Sequence, residues 1–83
     1  MTRQQRILQY IFEKPVRSDI KWDDVISLVK HLGREIQQRK GSRVALVIHQ
    51  VSAIFHTPHP RKEMKKAAVV ELRKFLEKVG VHP

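Results

Sequence analysis

The sequence predicts an α+β fold in which two helices precede three antiparallel strands and a third helix follows them. Three observations indicate this order. Before residue 33, apolar residues recur with the helical period of about 3.6 residues. They alternate with the strand period over residues 43–56, and the helical period returns after the prolines at positions 58 and 60. No internal repeat or low-complexity segment interrupts this order.

The first element is a short amphipathic helix over residues 4–13. Lys14-Pro15 ends it, because a residue that precedes proline disfavours the helical backbone. Residues 1–20 then form a helix and connector ahead of the main domain, residues 21–83, in a chain that is a single domain overall. We expect the helix to pack on this chain's own core rather than on a second copy, since a small domain needs its apolar burial. Its apolar face consists of Ile7, Leu8, Ile11 and Phe12.

A stronger helix is predicted from about Lys21 to Leu32. Asp19 is its expected N-cap, and Gly33 supplies the left-handed residue after the last turn. The helical spacing favours a core or partly buried position for the tryptophan, and for Tyr10, over a platform on which a base stacks. The core-facing stripe consists of Trp22, Val25, Ile26, Val29 and Leu32.

Three strands follow this helix. Glu35–Arg39 forms a short polar strand, and Lys40-Gly41-Ser42 turns the chain into the strand Arg43–His49. Val51–His56 pairs with that strand as a hairpin. The link His49-Gln50 lacks the glycine or asparagine that two-residue turns prefer. The pattern therefore predicts the hairpin more firmly than its register.

The last helix is predicted to begin near Lys62–Lys65 and to run to Val79, with Gly80 closing it. The segment Thr57-Pro58-His59-Pro60 in front of it is irregular, because it holds two prolines in four residues. The apolar stripe of this helix consists of Val69, Leu72, Leu76 and Val79, widened by Ala68 and Phe75.

The charge is large and unevenly placed. Lys and Arg total 17 against 8 Asp and Glu, which gives a net charge of +9 and a pI near 10.5. Residues 34–66 hold eight basic and two acidic residues, a net of +6. A surplus of this kind points to a polyanionic partner, nucleic acid before any other.

Composition excludes several classes of protein. The chain has no cysteine, which excludes a disulfide scaffold, iron–sulfur ligation and cysteine-based zinc sites. Its 41% of hydrophobic residues argues against intrinsic disorder. No apolar run approaches the roughly 18 residues of a membrane span, and the N-terminus lacks a secretory signal. We therefore expect a cytoplasmic protein with no membrane contact.

Two groups of residues are candidates for a functional site. The first is the turn Lys40-Gly41-Ser42-Arg43, where Gly41 permits close backbone approach, Ser42 offers a hydroxyl and the flanking cations suit a phosphate. The alternative is an ordinary basic hairpin tip.

The second group lies between the last strand and the last helix. His56 and His59 occupy a loop stiffened by prolines, and histidine is the usual proton carrier near neutral pH. Cations crowd the predicted start of the helix, where the helix dipole disfavours them, so we expect them to serve an anionic ligand. The alternative is that one histidine merely ends a strand and the other decorates a loop. The cations are Arg61, Lys62, Lys65 and Lys66.

A metal site built from these histidines is disfavoured. His49, His56 and His59 could together hold zinc, but the surrounding cations oppose a dication and no carboxylate is placed beside them. We therefore predict no metal and no cofactor. His31 and His82 lie on a polar helix face and in the C-terminal tail, where no role is indicated.

Residues 20–81 resemble the HicA toxins of bacterial toxin–antitoxin pairs. The resemblance lies in the segment Trp22–Leu32 with its following glycine, in Lys40-Gly41-Ser42, in Pro58-x-Pro60-x-Lys62-Glu63, and in a final helix closed by Gly80. It implies a fold like the double-stranded-RNA-binding domain, α-β-β-β-α, here with one extra short N-terminal helix. It also implies an endoribonuclease that cleaves mRNA and halts translation and growth. The implied partners are RNA and a HicB-like antitoxin that masks the active face, and we expect the free protein to be a monomer.

The chain departs from the family pattern at one position. Typical members carry Gly-Ser-His at the turn, and that histidine is taken as catalytic, whereas this chain has Arg43. Arginine stays protonated and cannot act as a general base, although it can hold a phosphate. The resemblance favours His59 as the catalytic residue, because it matches a histidine common in the family's proline-flanked loop, with His56 second. The expected phosphate-binding residues are Lys40, Gly41, Ser42, Arg43, Arg61, Lys62, Lys65 and Lys66.

Two other functions remain open from the sequence. The same basic face would suit an RNA- or DNA-binding module without catalysis, which the arginine at position 43 favours. It would also suit a small interaction module whose main partner is an acidic protein.

Overall fold

The computed structural model describes residues 2–33 and 35–83 and confirms the α+β fold. Within them, three helices and a three-stranded antiparallel sheet follow the double-stranded-RNA-binding-like order α-β-β-β-α behind one additional N-terminal helix. No helix in these ranges is both long enough and apolar enough to cross a membrane. The elements are α1 (Arg3–Ile11), α2 (Trp22–His31), β1 (Glu35–Gln38), β2 (Arg43–Ile48), β3 (Val51–His56) and α3 (Lys66–Lys78).

The sheet has the strand order β1-β2-β3, and both pairs of neighbouring strands are antiparallel. The β2–β3 hairpin pairs Arg43 with His56 at one end and Ile48 with Val51 at the other. Its two-residue turn, His49-Gln50, has φ values of 51° and 65°. Positive φ at both positions is the backbone of a type I′ turn, which matches the twist of the strands. The register therefore follows from a turn that two non-glycine residues adopt.

The helices cover one face of the sheet, and the core lies between them. The inward side chains of β2 are fully buried, as the alternating pattern predicts, and Trp22 packs its ring 6.3 Å from that of Phe55. The predicted core position of the tryptophan is thus confirmed. Apolar residues from all three helices and from β2 belong to this core, including Ile11, Val25, Leu28, Leu46, Ile48, Val69, Leu72 and Leu76.

Helix α1 packs on α2 and α3 through its apolar face, and Ile7, Leu8 and Ile11 lie in the same core. Arg73 of α3 fixes the C-terminal end of α1. Its Nε donates to the carbonyl of Ile11 at 3.1 Å and its Nη2 to that of Glu13 at 2.8 Å. A cation at this end also complements the helix dipole.

The predicted N-cap of α2 is wrong. Lys21 occupies the N-cap position, and no side chain caps the helix there. Asp19 instead accepts two hydrogen bonds from the Arg17 guanidinium, at 2.8 and 2.7 Å. This arrangement lowers the pKa of Asp19 and raises that of Arg17, because each charged form stabilises the other. A bidentate arginine two residues away is a better partner for the carboxylate than the backbone N–H groups.

The last helix starts at the late end of its predicted range, because Lys65 is the N-cap and α3 begins at Lys66. The segment in front of it is extended and pairs with the entry to α2. Trp22 N–H donates to the carbonyl of Lys62 at 2.9 Å, and Met64 N–H donates to that of Ile20 at 2.8 Å. This bridge satisfies backbone groups at both helix entries and buries Met64 in the core. Arg61 and Lys62 therefore precede the helix.

Candidate functional site

A groove runs between the edge strand β3 and helix α3. We call it the β3–α3 groove, and its volume is about 1230 Å³. Strand β3 forms one wall, an exposed face of α3 forms the other, and the loop that joins them closes one end. The lining residues are Ser18, residues 51–61, residues 63–66, Ala68, Glu71, Lys74, Phe75 and Lys78.

Five of the predicted site residues line this groove. His56 ends β3, and His59 follows in the loop, where its peptide bond to Pro60 is cis. All five side chains belong to exposed residues, so each can meet a ligand from solvent. The five are His56, His59, Arg61, Lys65 and Lys66.

The turn that carries the other predicted residues lies beside the groove rather than in it. Thr57 N–H donates to the carbonyl of Ser42 at 2.8 Å. This bond joins the turn to the start of the loop that follows His56 and contains His59, residues 57–65, which we call the histidine loop. Gly41 has φ +68°, a left-handed conformation that favours glycine, and no atom lies within 4 Å of the position of an added Cβ. The backbone at the tip of this turn is therefore open to solvent.

Arg43 connects the two parts of the site. It pairs with His56 across the hairpin, on the sheet face that the helices do not cover. Side chains directly opposite each other in an antiparallel sheet have Cβ atoms about 4.5–5.5 Å apart. The Nε of Arg43 donates to the carbonyl of Lys40 at 3.3 Å, which holds the guanidinium near the turn. A cation and a proton-carrying side chain are thus neighbours.

Lys62 stands apart from the predicted group. Its side chain is exposed but does not line the groove, and its backbone carbonyl belongs to the bridge with Trp22. The structure thus brings together the turn, the histidine loop and the cations at the start of α3, with Lys62 at their margin.

The groove is electropositive. Its two carboxylates already have cationic neighbours, since Glu63 lies 3.9 Å from Arg61 and Glu71 lies 3.8 Å from Lys74. Across residues 2–33 and 35–83, no ion pair involves the remaining groove cations, Lys65, Lys66 and Lys78. Low-dielectric walls next to uncompensated cations strengthen the attraction for an anion.

Sequence reasoning missed the α3 wall of the groove. It assigned Phe75 to the core, where the residue lies, but gave no role to Lys74 and Lys78. Their i, i+4 spacing places them on one helix face, beside the apolar stripe. This spacing was the available signal, yet an exposed lysine pair on a helix is too common to indicate a site by itself.

The described part of the chain contains no group of three or more His, Cys, Asp and Glu side chains arranged to hold a metal ion. The groove can offer a ligand cations, two histidines and the half-buried Ala68, and the turn with Gly41 adds open backbone beside it.

Fold and groove together define a small basic α+β protein with an electropositive groove beside its edge strand. The model of one protein family, the HicA toxin of bacterial toxin–antitoxin systems, matches residues 22–81. The chain belongs to this family of toxins, whose members have an antitoxin as partner. The search of curated proteins and the search of solved structures found no match.

Proposed function

We propose that this toxin is a cytoplasmic, metal-independent endoribonuclease that cleaves mRNA and thereby inhibits translation and growth. One observation carries the proposal. Arg43 and His56 are cross-strand neighbours, and the Ser42–Thr57 hydrogen bond sets the glycine turn against the histidine loop. Phosphate-binding groups and proton-carrying groups therefore share one surface, as cleavage of an RNA strand requires. The toxin acts as a monomer until its HicB-like antitoxin binds.

RNA is held through its phosphates. The guanidinium of Arg43 and the ammonium of Lys40 flank a turn whose glycine leaves the backbone accessible. Arg61, Lys65 and Lys66 extend the cationic surface along the groove. Donors fixed in this way before the substrate arrives stabilise charge that develops on a phosphate, an effect worth about 3–4 kcal/mol for a single donor in other enzymes.

Histidine supplies the proton transfer. His59, or His56 beside it, takes the proton of a ribose 2′-OH as its oxygen attacks the adjacent phosphorus, or gives a proton to the departing 5′-oxygen. The new bond joins the 2′-oxygen to phosphorus and the bond that breaks is P–O5′. The products are a 2′,3′-cyclic phosphate and a 5′-hydroxyl. No metal ion is needed to balance this step.

The test compares His59→Ala and His56→Ala with wild type, using purified protein and a labelled mRNA fragment with chelator present. We expect wild type to cleave in chelator and His59→Ala to lose about 100-fold or more in rate, because positioned proton transfer contributes about 10²–10⁴-fold. His31→Ala is the matched control, since His31 is also exposed but lies on α2. Intact RNA at concentrations of wild-type protein that bind it would overturn the proposal.

The second candidate is an RNA- or DNA-binding module without catalysis. Arg43 favours it, because a guanidinium stands at the turn beside His56 and cannot accept a proton. Under this function His59→Ala would lower affinity modestly and leave growth inhibition unchanged. Induced expression of wild type beside His59→Ala, scored for growth arrest and loss of RNA, separates the two.

A further inference from the structure

Strand β3 presents unpaired backbone groups to the groove. It is an edge strand of the sheet formed by the described residues. The hydrogen bond from Thr57 N–H to the Ser42 carbonyl fixes which residue pairs of the hairpin are bonded, since bonded and non-bonded pairs alternate along an antiparallel ladder. The N–H and C=O groups of Ser52, Ile54 and His56 consequently point away from β2. These groups form a row along one wall of the groove.

Nothing in β3 protects this edge. Natural proteins block edge strands with lysine, proline, a bulge or very short length. The six residues of β3 include no lysine and no proline, and their register with β2 is unbroken. By contrast, β1 has only four residues and is followed by Arg39 and Lys40. Ile54 of β3 is also 52% exposed, and it is the large hydrophobic residue that the described chain leaves most open to solvent.

The opposite wall determines which partner fits. The half-buried Ala68 and the small exposed part of Phe75, which is 6% exposed, give α3 a narrow apolar strip. Lys74 and Lys78 lie beside this strip. Lys65 and Lys66 add two cations at the end of the groove where α3 begins. A strand in this space would turn alternate side chains towards α3. Apolar side chains suit the strip, and carboxylates suit the lysines.

We propose that β3 accepts an extended acidic segment of a partner polypeptide as a fourth strand of the sheet, seated in the β3–α3 groove. Backbone hydrogen bonds to Ser52, Ile54 and His56 supply the register, and the lysines select acidic side chains. A segment of about six residues spans the length of β3. Such a segment covers His56 and His59, so it also inhibits catalysis, a consequence that rests on the proposed function.

The test measures binding of a blocked seven-residue peptide, Thr-Glu-Thr-Val-Thr-Glu-Thr, to the full chain by isothermal titration calorimetry. Its glutamates and valine occupy alternate positions, so all three side chains share the strand face that turns towards α3. Ser52→Pro removes one outward N–H without touching the β2 ladder, and we expect it to weaken binding at least tenfold. Gln38→Pro is the matched control. The hydrogen bond from Arg39 N–H to the Arg43 carbonyl shows that the N–H of Gln38 points to the free edge of β1. Binding to this variant should equal that of wild type.

Two further peptides test the proposal on the unaltered protein, in case Ser52→Pro impairs folding. N-methylation of alternate backbone nitrogens, on the side that would face β3, should abolish binding. Replacing the glutamates by lysines should do the same, because the groove cations then repel the peptide. If the N-methylated peptide or the lysine peptide binds as tightly as the parent, the proposal is wrong.

Other occupants give different results. An RNA oligonucleotide that binds the groove while the acidic peptide does not would assign the surface to nucleic acid and overturn the proposal. A dimer of the chain that Ser52→Pro abolishes, again without peptide binding, would assign the edge to a second copy. No RNA is cleaved in the peptide measurement, so its failure is distinguishable from failure of the nuclease proposal.

Discussion

Arg43 and His56 face each other across the β2–β3 hairpin, one charged at any ordinary pH and the other able to carry a proton. Their pairing sets what the surface can do at the scale of single residues. The resemblance to the family implies a histidine at the position where this chain has Arg43, that is, an exchange of a proton carrier for a permanent cation. Under the proposed function, we expect this exchange to favour phosphate binding at the expense of proton transfer.

Arg43→His tests this exchange directly. We expect faster RNA cleavage than wild type, because the substitution places a second titratable group opposite His56. Affinity for uncleaved RNA should fall, since a neutral imidazole binds phosphate less strongly than a guanidinium. Single-turnover cleavage and equilibrium binding measure the two effects separately. An unchanged rate with weaker binding would limit position 43 to phosphate contact.

Asp19 makes one part of the stability pH-dependent. Its hydrogen bonds to Arg17 lower its pKa in the folded state. The stabilisation is therefore complete above the ordinary pKa of 3.8 and is lost as the pH falls through the lower, folded value. We expect Asp19→Asn to be less stable than wild type in urea at neutral pH and equally stable in strong acid. Glu77→Gln removes a carboxylate with no ion pair among the described residues and should show no such convergence.

The elements show how far sequence patterns reach. The alternating residues of β2 and β3 predicted the hairpin because one face of each strand is buried. The bridge between residues 20–22 and 62–64 has no periodicity to reveal it, since it joins two short extended segments about forty residues apart. The predicted N-cap failed because Arg17, two residues before Asp19, competes for the same carboxylate. The groove was also unpredictable from the sequence. It depends on how α3 lies against β3, and no local pattern of residues indicates that arrangement.

The His49-Gln50 turn carries a cost that glycine would relieve. Gln50 has φ 65°, and a non-glycine residue held in a sparsely populated backbone region costs about 1–3 kcal/mol. Gln50→Gly should therefore stabilise the protein by about 1 kcal/mol, measured by urea unfolding. Gln38→Gly, in a strand where no positive φ is required, should instead destabilise it by about 0.5–1 kcal/mol. Equal effects of the two substitutions would contradict this account.

Helix α1 depends on Arg73 at its C-terminal end. Arg73→Met keeps the apolar stem of the side chain and removes both hydrogen bonds, to the carbonyls of Ile11 and Glu13. We expect a loss of about 1.5–3 kcal/mol, because the donor is charged and partly buried. Lys74→Met, one residue further on the exposed face, should cost far less. Thermal or urea unfolding of the three proteins provides the comparison.

At the scale of the whole molecule, we propose that residues 1–20 and 21–83 fold as one unit. Ile11 is fully buried in the shared core. Ile11→Ala should lower the free energy of unfolding by about 2–5 kcal/mol, as for other large-to-small core substitutions. The decisive observation is that the variant still unfolds in a single cooperative transition, with its midpoint shifted to a lower value. A first transition confined to α1, with the remainder unchanged, would show that the N-terminal segment is dispensable.

The net charge of +9 also acts on the whole molecule. Affinity for RNA should fall steeply with salt, and removal of one phosphate-binding cation should flatten the slope of log affinity against log salt by roughly one unit. Lys40→Ala and Lys65→Ala should each flatten it by about this amount, and Lys30→Ala, on α2 and outside the groove, hardly at all. Equal slopes for all three variants would mean that RNA responds to the net charge of the protein and makes no specific phosphate contact with Lys40 or Lys65.

The tryptophan of this chain packs behind Phe55, a residue that lines the groove. Trp22 packs its ring against Phe55 of β3, and its backbone N–H is tied to the carbonyl of Lys62 at the end of the histidine loop. Because the chain has only one tryptophan, its fluorescence comes from this place alone. A ligand that straightens or shifts β3 changes the packing around the indole, so emission can follow occupancy of the groove in real time without a label.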